Sequence, residues 1–136
     1  MEKVSKHIVN WLRSYCESSN LSGFVVGVSG GIDSAVTSTL CAETQMRVIL
    51  LNMPIRQNSA EYSLAKSHIE NLKSRYPNVE SHDIDLTDSF ESFENNMPFP
   101  IDSNQLSMAN SRARLRMMTL YAVSYTHLTL PTILRV

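Results

Sequence analysis

A chain of 136 residues, 43% hydrophobic and 18% charged, has the composition of a globular protein and the length of one domain at most. Its net charge of -1 gives no general pull toward nucleic acid or a membrane surface, so any anion it binds must be held by a local arrangement. The two cysteines, Cys16 and Cys41, have neither CxxC spacing nor a nearby histidine cluster, which indicates neither a zinc site nor a disulfide framework. Asn10 and Arg13 interrupt the apolar Trp11 and Leu12, leaving no signal-peptide core, and no run reaches the ~18 apolar residues of a membrane span. A cytoplasmic protein with reduced cysteines, no membrane partner and no nucleic-acid partner is expected.

Val4, Ile8, Trp11, Leu12 and Tyr15 recur at helical spacing and predict an amphipathic first helix ending near Ser18, Ser19 and Asn20. That stripe is expected to cover one face of a sheet. The apolar runs over 24–28 and 47–53 are short and nearly continuous, as in parallel strands buried on both faces, with a helix over 35–43 between them. Pro54 stops the second run. Tyr62, Ala65, Ile69, Leu72 and Tyr76 then form a crossover-helix stripe that Pro77 and Asn78 end. Over 79–86 the pattern alternates, with His82, Ile84 and Leu86 on one face, predicting a third strand.

Phe90 and Phe93 lie at helical spacing within 87–95, Met97, Pro98, Phe99 and Pro100 break the chain, and Asp102 or Ser103 can cap a last helix. Along that helix Leu106, Ala109, Ala113, Met117 and Leu120 are expected to face inward. Asn110 and Arg114 would then lie on one border and Arg112 and Arg116 on the other, as a solvated flank. Strands separated by helices of this length predict βαβ units with right-handed crossovers, hence an α/β fold with an open parallel sheet and flanking helices. Ligands of such sheets bind beyond the C-terminal ends of the strands.

The informative segment is Ser29-Gly30-Gly31-Ile32-Asp33-Ser34, which joins the first strand to a helix N-terminus. A small-residue turn lets backbone N–H groups approach an anion, and the helix dipole adds positive potential at the same place. The turn is not a GxxxxGK[ST] loop, because no lysine stands in it and the next basic residue is Arg47. Glycine amides and the hydroxyls of Ser29 and Ser34 can hold phosphates, whereas Asp33 among phosphates needs a cation between them, a position that suits Mg²⁺. The plainer reading is a tight turn with Asp33 as a helix cap.

This hexapeptide resembles the pyrophosphate loop of the N-type ATP pyrophosphatases. A second segment, Asn110-Ser111-Arg112-Ala113-Arg114-Leu115-Arg116-Met117, is similar to the N-x-x-A-R-x-R-M segment of NAD synthetases, and Leu51, Asn52, Met53, Pro54 and Gln57 stand where that family has its second strand and following loop. The resemblance implies an adenine nucleotide alpha hydrolase-like fold. It implies that Gly27, Val28, Ser29, Gly30, Gly31, Ile32, Asp33 and Ser34 bind ATP, that Asp33 helps hold Mg²⁺, and that Arg114 contacts deamido-NAD. The implied reaction is ATP-dependent amidation of deamido-NAD to NAD by ammonia, through an adenylated carboxylate, with release of AMP and pyrophosphate, in an enzyme that pairs as a homodimer. Many bacterial members have arginine at the position of Asn52. Carboxylate attack demands no general base, so His7, His68, His82 and His127 receive no role. The alternatives are a GMP synthetase-like or tRNA-modifying member of the same class, and a non-catalytic nucleotide-binding fragment.

The resemblance covers roughly residues 1–123. From Ser124 the sequence has no acidic residue and departs from the family pattern, which leads there to another strand and to downstream acidic and lysine residues. Residues 124–136 are therefore expected to be an atypical, non-native tail, and the chain an N-terminal portion that is weakly active or inactive alone.

Overall fold

The computed structural model describes residues 1–98 and 105–127. The elements are α1 (Glu2–Ser18), β1 (Gly23–Gly27), α2 (Ile32–Glu43), β2 (Arg47–Asn52), α3 (Ser59–Arg75), β3 (Val79–Asp83), α4 (Thr87–Asn95) and α5 (Gln105–His127). The strands form one parallel sheet in the order β1-β2-β3. The open α/β architecture expected from the sequence is present.

β2 organises the core because it is paired on both edges and its side chains alternate between two apolar layers. Val48 and Leu50 join Val28, Cys41, Ala42, Ala65, Ile69, Leu72 and Val79 beneath α2 and α3. Ile49 and Leu51 face the other way, into a cluster with Met53, Ile55, Leu86 and Phe90 that Met108, Leu115, Leu120 and Val123 of α5 cover. Asn58 caps α3 by accepting the Glu61 N–H at 2.9 Å. At the other end of α3 the Asn78 amide donates to the carbonyls of Ala42 and Met46, tying the return into β3 to the return into β2.

Three features depart from the sequence reading. α1 packs mainly on α2 and turns Leu12 and Cys16 inward, whereas Val4, Ile8, Trp11 and Tyr15 face solvent; the helix carries more apolar surface than its neighbour covers. β3 ends at Asp83, and Ile84 and Leu86 instead donate their amides to the carbonyls of Asn52, the last residue of β2, and of Pro54 just beyond it. α5 is rotated from its expected face: Leu120 is inside as expected, but Leu106 and Met117 are outside and Met108, Leu115 and Val123 take the inward positions. Apolar residues occur nearly all round this helix, so spacing alone selects no unique face.

α5 continues through residues 124–127, the start of the expected tail, while residues 128–136 lie outside the described residues, as do the expected caps Asp102 and Ser103. No helix among the described residues is long and apolar enough to cross a membrane. Leu50 has no exposed surface and touches the α2–α3 layer, so Leu50→Ala is expected to cost about 2–5 kcal/mol through lost burial and a residual cavity. Urea unfolding checks this: the midpoint should fall with an unchanged slope.

Candidate functional site

The pairing of β1 with β2 extends to Val28, whose N–H donates to the Leu51 carbonyl at 2.9 Å and whose side chain is buried. The chain then leaves the sheet through Ser29, Gly30 and Gly31. Gly30 has φ +88°, and a Cβ there would lie 2.7 Å from the Glu61 carbonyl oxygen, so the turn requires glycine for both its dihedral and its approach to the first turn of α3. Gly31 is the extended N-cap of α2.

The two serines brace this turn. Ser34 Oγ accepts the Ser29 N–H at 3.2 Å and donates to the Gly31 carbonyl at 3.0 Å, while Ser29 Oγ accepts the Gly31 N–H at 3.3 Å. The hydroxyls are 3.2 Å apart. The N–H groups of Gly30, Ile32, Asp33 and Ser34 have no acceptor among the described residues. Such orphan amides at a helix N-terminus, pointing along its dipole, bind anions.

The turn opens onto a cleft of about 980 Å³ lined by Gly27, Val28, Ser29, Gly30 and Gly31 on one side and by β2-end and α5 residues on the other. Met53 and Ile55 form its apolar floor. Gln57 donates to the Ser29 carbonyl at 3.3 Å and to Glu61 Oε2 at 3.2 Å, fastening the loop after β2 to the turn. Arg56 lies at the rim with φ 48° and is paired to Glu91 and Glu94, which raise its pKa.

The α5 wall supplies Arg112, Ala113 and Arg116. Arg116 Nε donates to the Met53 carbonyl at 3.0 Å, and burial with the nearby Arg112 charge lowers its pKa. Arg112 lies over the Phe90 ring at 5.7 Å. The solvated flank expected for these two arginines is therefore corrected: the rotation of α5 turns both into the cleft. The sequence signal was present as an i, i+4 arginine pair, hidden by the wrong choice of inward face.

Arg114 is exposed, donates to the Asn110 carbonyl at 3.2 Å and does not line the cleft. Asp33 and Ile32 are exposed in the first turn of α2, beside the cleft rather than in its wall. Asn52 is buried and donates to Asp83 Oδ1 at 3.1 Å; Asp83, whose pKa the Lys66 ammonium lowers, joins the ends of β2 and β3 to α3. Among the described residues there is no cluster of three or more His, Cys, Asp or Glu side chains that would hold a metal unaided.

Behind the turn, the His68 ring nitrogen Nε2 lies 2.8 Å from Ser38 Oγ, and Ser38 donates to the Ser34 carbonyl at 2.7 Å. The Ser38 proton is used in that bond, so His68 is the donor to Ser38. Burial lowers the His68 pKa below its usual value of 6.5. The unfolded state then takes up the proton first, so stability should fall as pH drops through about 6.5 and level off below the folded-state pKa. Urea midpoints from pH 7.5 to 5 should show this slope, and His68→Gln should flatten it. Gly30→Ala should cost about 1–3 kcal/mol by the same measurement, because it forces a side chain into a left-handed turn against backbone.

Comparison with known proteins agrees with this architecture. The family model described as NAD synthase matches residues 4–132. The NH(3)-dependent NAD(+) synthetase of Finegoldia magna is 33% identical over 120 residues, covering 88% of this chain and 47% of that protein. Among solved structures, an NMN synthetase from Francisella tularensis superposes with a TM-score of 0.81 at 34% identity, covering 93% of this chain and 50% of the other. An NH3-dependent NAD synthetase from Campylobacter jejuni, in complex with the nitrate ion, gives 0.81 at 28% identity, covering 95% and 54%. The chain thus spans about half the length of the curated relatives it matches. With a glycine turn at the end of β1, an arginine-bearing α5 across the cleft and a family match along nearly its whole length, the chain belongs to the NAD synthase family.

Proposed function

We propose that this chain forms the ATP-binding portion of a cytoplasmic, homodimeric enzyme that amidates deamido-NAD to NAD with ATP and ammonia. The observation that carries the reading is the set of unpaired amides at Gly30, Ile32, Asp33 and Ser34, opening beside a cleft in a member of the NAD synthase family. A carboxylate is a poor electrophile toward ammonia, so the acid must first be activated. In the proposed reaction a nicotinate carboxylate oxygen attacks the α-phosphorus of ATP, the bond to the bridging oxygen breaks, and pyrophosphate leaves with that electron pair. Ammonia then adds to the carbonyl carbon of the mixed anhydride, loses a proton and displaces AMP.

The chain's part is electrostatic and positional. The four amides and the N-terminal end of α2 take up charge that grows on the departing pyrophosphate, without reorganising as the bond breaks. Gly27, Val28, Ser29 and Gly31 shape the cradle, and the Ser29–Ser34 hydroxyl pair holds it in register. Arg114 is assigned the deamido-NAD contact that the resemblance implies.

Mg²⁺ suits the residues present. Asp33 is exposed with no ion-pair partner among the described residues, and Mg²⁺ characteristically takes one or two carboxylates together with substrate phosphates and waters. Asp33 would hold the ion, which would supply charge neutralisation on the phosphates.

A second reading, amidation of nicotinate mononucleotide to NMN, is favoured by the likeness to the Francisella tularensis NMN synthetase. Labelled ATP offered with ammonia and deamido-NAD, nicotinate mononucleotide, XMP or tRNA separates the readings. AMP formation stimulated by deamido-NAD is expected; stimulation only by the mononucleotide would select the second reading, and only by XMP or tRNA would reject both. In calorimetry, Asp33→Asn should weaken ATP binding by about tenfold more with Mg²⁺ than without it. Equal losses would make Asp33 only a helix cap.

A further inference from the structure

We infer that Arg116, supported by Arg112, grips the phosphate chain of the nucleotide from the wall facing the glycine turn. This rests on the proposed ATP reading and adds a cationic half to a site otherwise made of amides.

The two residues are four apart on α5, so their side chains share one face, and both line the same cleft as Gly27, Ser29 and Gly30. Neither forms an ion pair among the described residues. Glu61 also lines the cleft and attracts Arg116 through its charge, but it makes no salt-bridge contact with it and accepts a hydrogen bond from Gln57. Arg56 makes the contrast: it lies at the rim of the cleft, but Glu91 and Glu94 neutralise it. Arg112 and Arg116 are therefore cationic groups of this wall with no salt-bridge partner among the described residues.

Two like charges brought together beside a partly apolar cleft repel each other, and burial makes the cost greater; the pKa of Arg116 is held down by both effects. A bound polyanion reverses that cost. The hydrogen bond from Arg116 Nε to the Met53 carbonyl fixes the guanidinium at the end of β2 and leaves its Nη groups without an acceptor among the described residues. Two parallel Nη donors match two oxygens of a phosphate, a geometry that lysine cannot reproduce. Arg112 lies over the Phe90 ring and also lines the cleft. A purely structural Arg116 would need only the Met53 contact.

The test is calorimetric titration of the chain with inorganic pyrophosphate and with ATP, for wild type, Arg116→Gln, Arg116→Lys and Arg112→Gln. Arg116→Gln is expected to weaken pyrophosphate and ATP by about tenfold or more, with Arg116→Lys intermediate, because charge returns without the fork. The salt dependence of pyrophosphate affinity should also become shallower in Arg116→Gln, a change that loss of a carbonyl prop would not cause. A folded Arg116→Gln that binds pyrophosphate like wild type would overturn the inference. If Arg116→Gln fails to fold, Arg112→Gln reads the same wall, and wild-type pyrophosphate affinity there would overturn it as well. If the wild-type chain binds neither ligand, the ATP reading itself falls and this inference falls with it.

Discussion

Four backbone N–H groups at the start of α2, those of Gly30, Ile32, Asp33 and Ser34, lack acceptors among the described residues and sit on a turn that only glycine can make. Much of the neighbouring structure serves to hold them there. Parallel pairing of β1 with β2 delivers the chain to the turn, and the Val28 amide extends that pairing one residue further. The first turn of α3 presses its backbone against Gly30, and the serine pair consumes the remaining turn amides internally. A flexible loop of the same composition would have to be ordered by the ligand at a cost in affinity.

Charge is distributed to the same end. A chain with a net charge of -1 attracts no polyanion from a distance, so recognition must come from local donors. Two chemically different sources stand close together: neutral amides aligned with a helix dipole where the glycine turn opens onto the cleft, and the arginines of its α5 wall. In the proposed reaction, a leaving pyrophosphate is the species whose charge grows.

Much of this was legible in the sequence, and the exceptions have physical causes. β1, β2 and the glycine turn were readable because continuous apolar runs and a small-residue bend have few other uses in an α/β chain. α3 was equally clear, since its stripe of Ala65, Ile69 and Leu72 is narrow and all three are buried. α1 and α5 were found as helices, but their buried faces were misplaced: apolar residues extend round α5, so periodicity fails to choose, whereas α1 carries a one-sided stripe wider than its neighbour covers. That single error in α5 hid Arg112 and Arg116 in a supposed solvent-facing flank. The internal use of the Ser29 and Ser34 hydroxyls was also invisible, because it depends on the geometry of a turn rather than on its composition.

Amide-resolved NMR during titration with inorganic pyrophosphate reads each unpaired amide of the glycine turn as the anion binds. If these amides hold pyrophosphate, saturable shifts concentrate at Gly30, Ile32, Asp33 and Ser34, and that of Val28, already donating to Leu51, is much smaller. Shifts confined to other parts of the chain, or a turn that does not respond at saturating pyrophosphate, would contradict such binding.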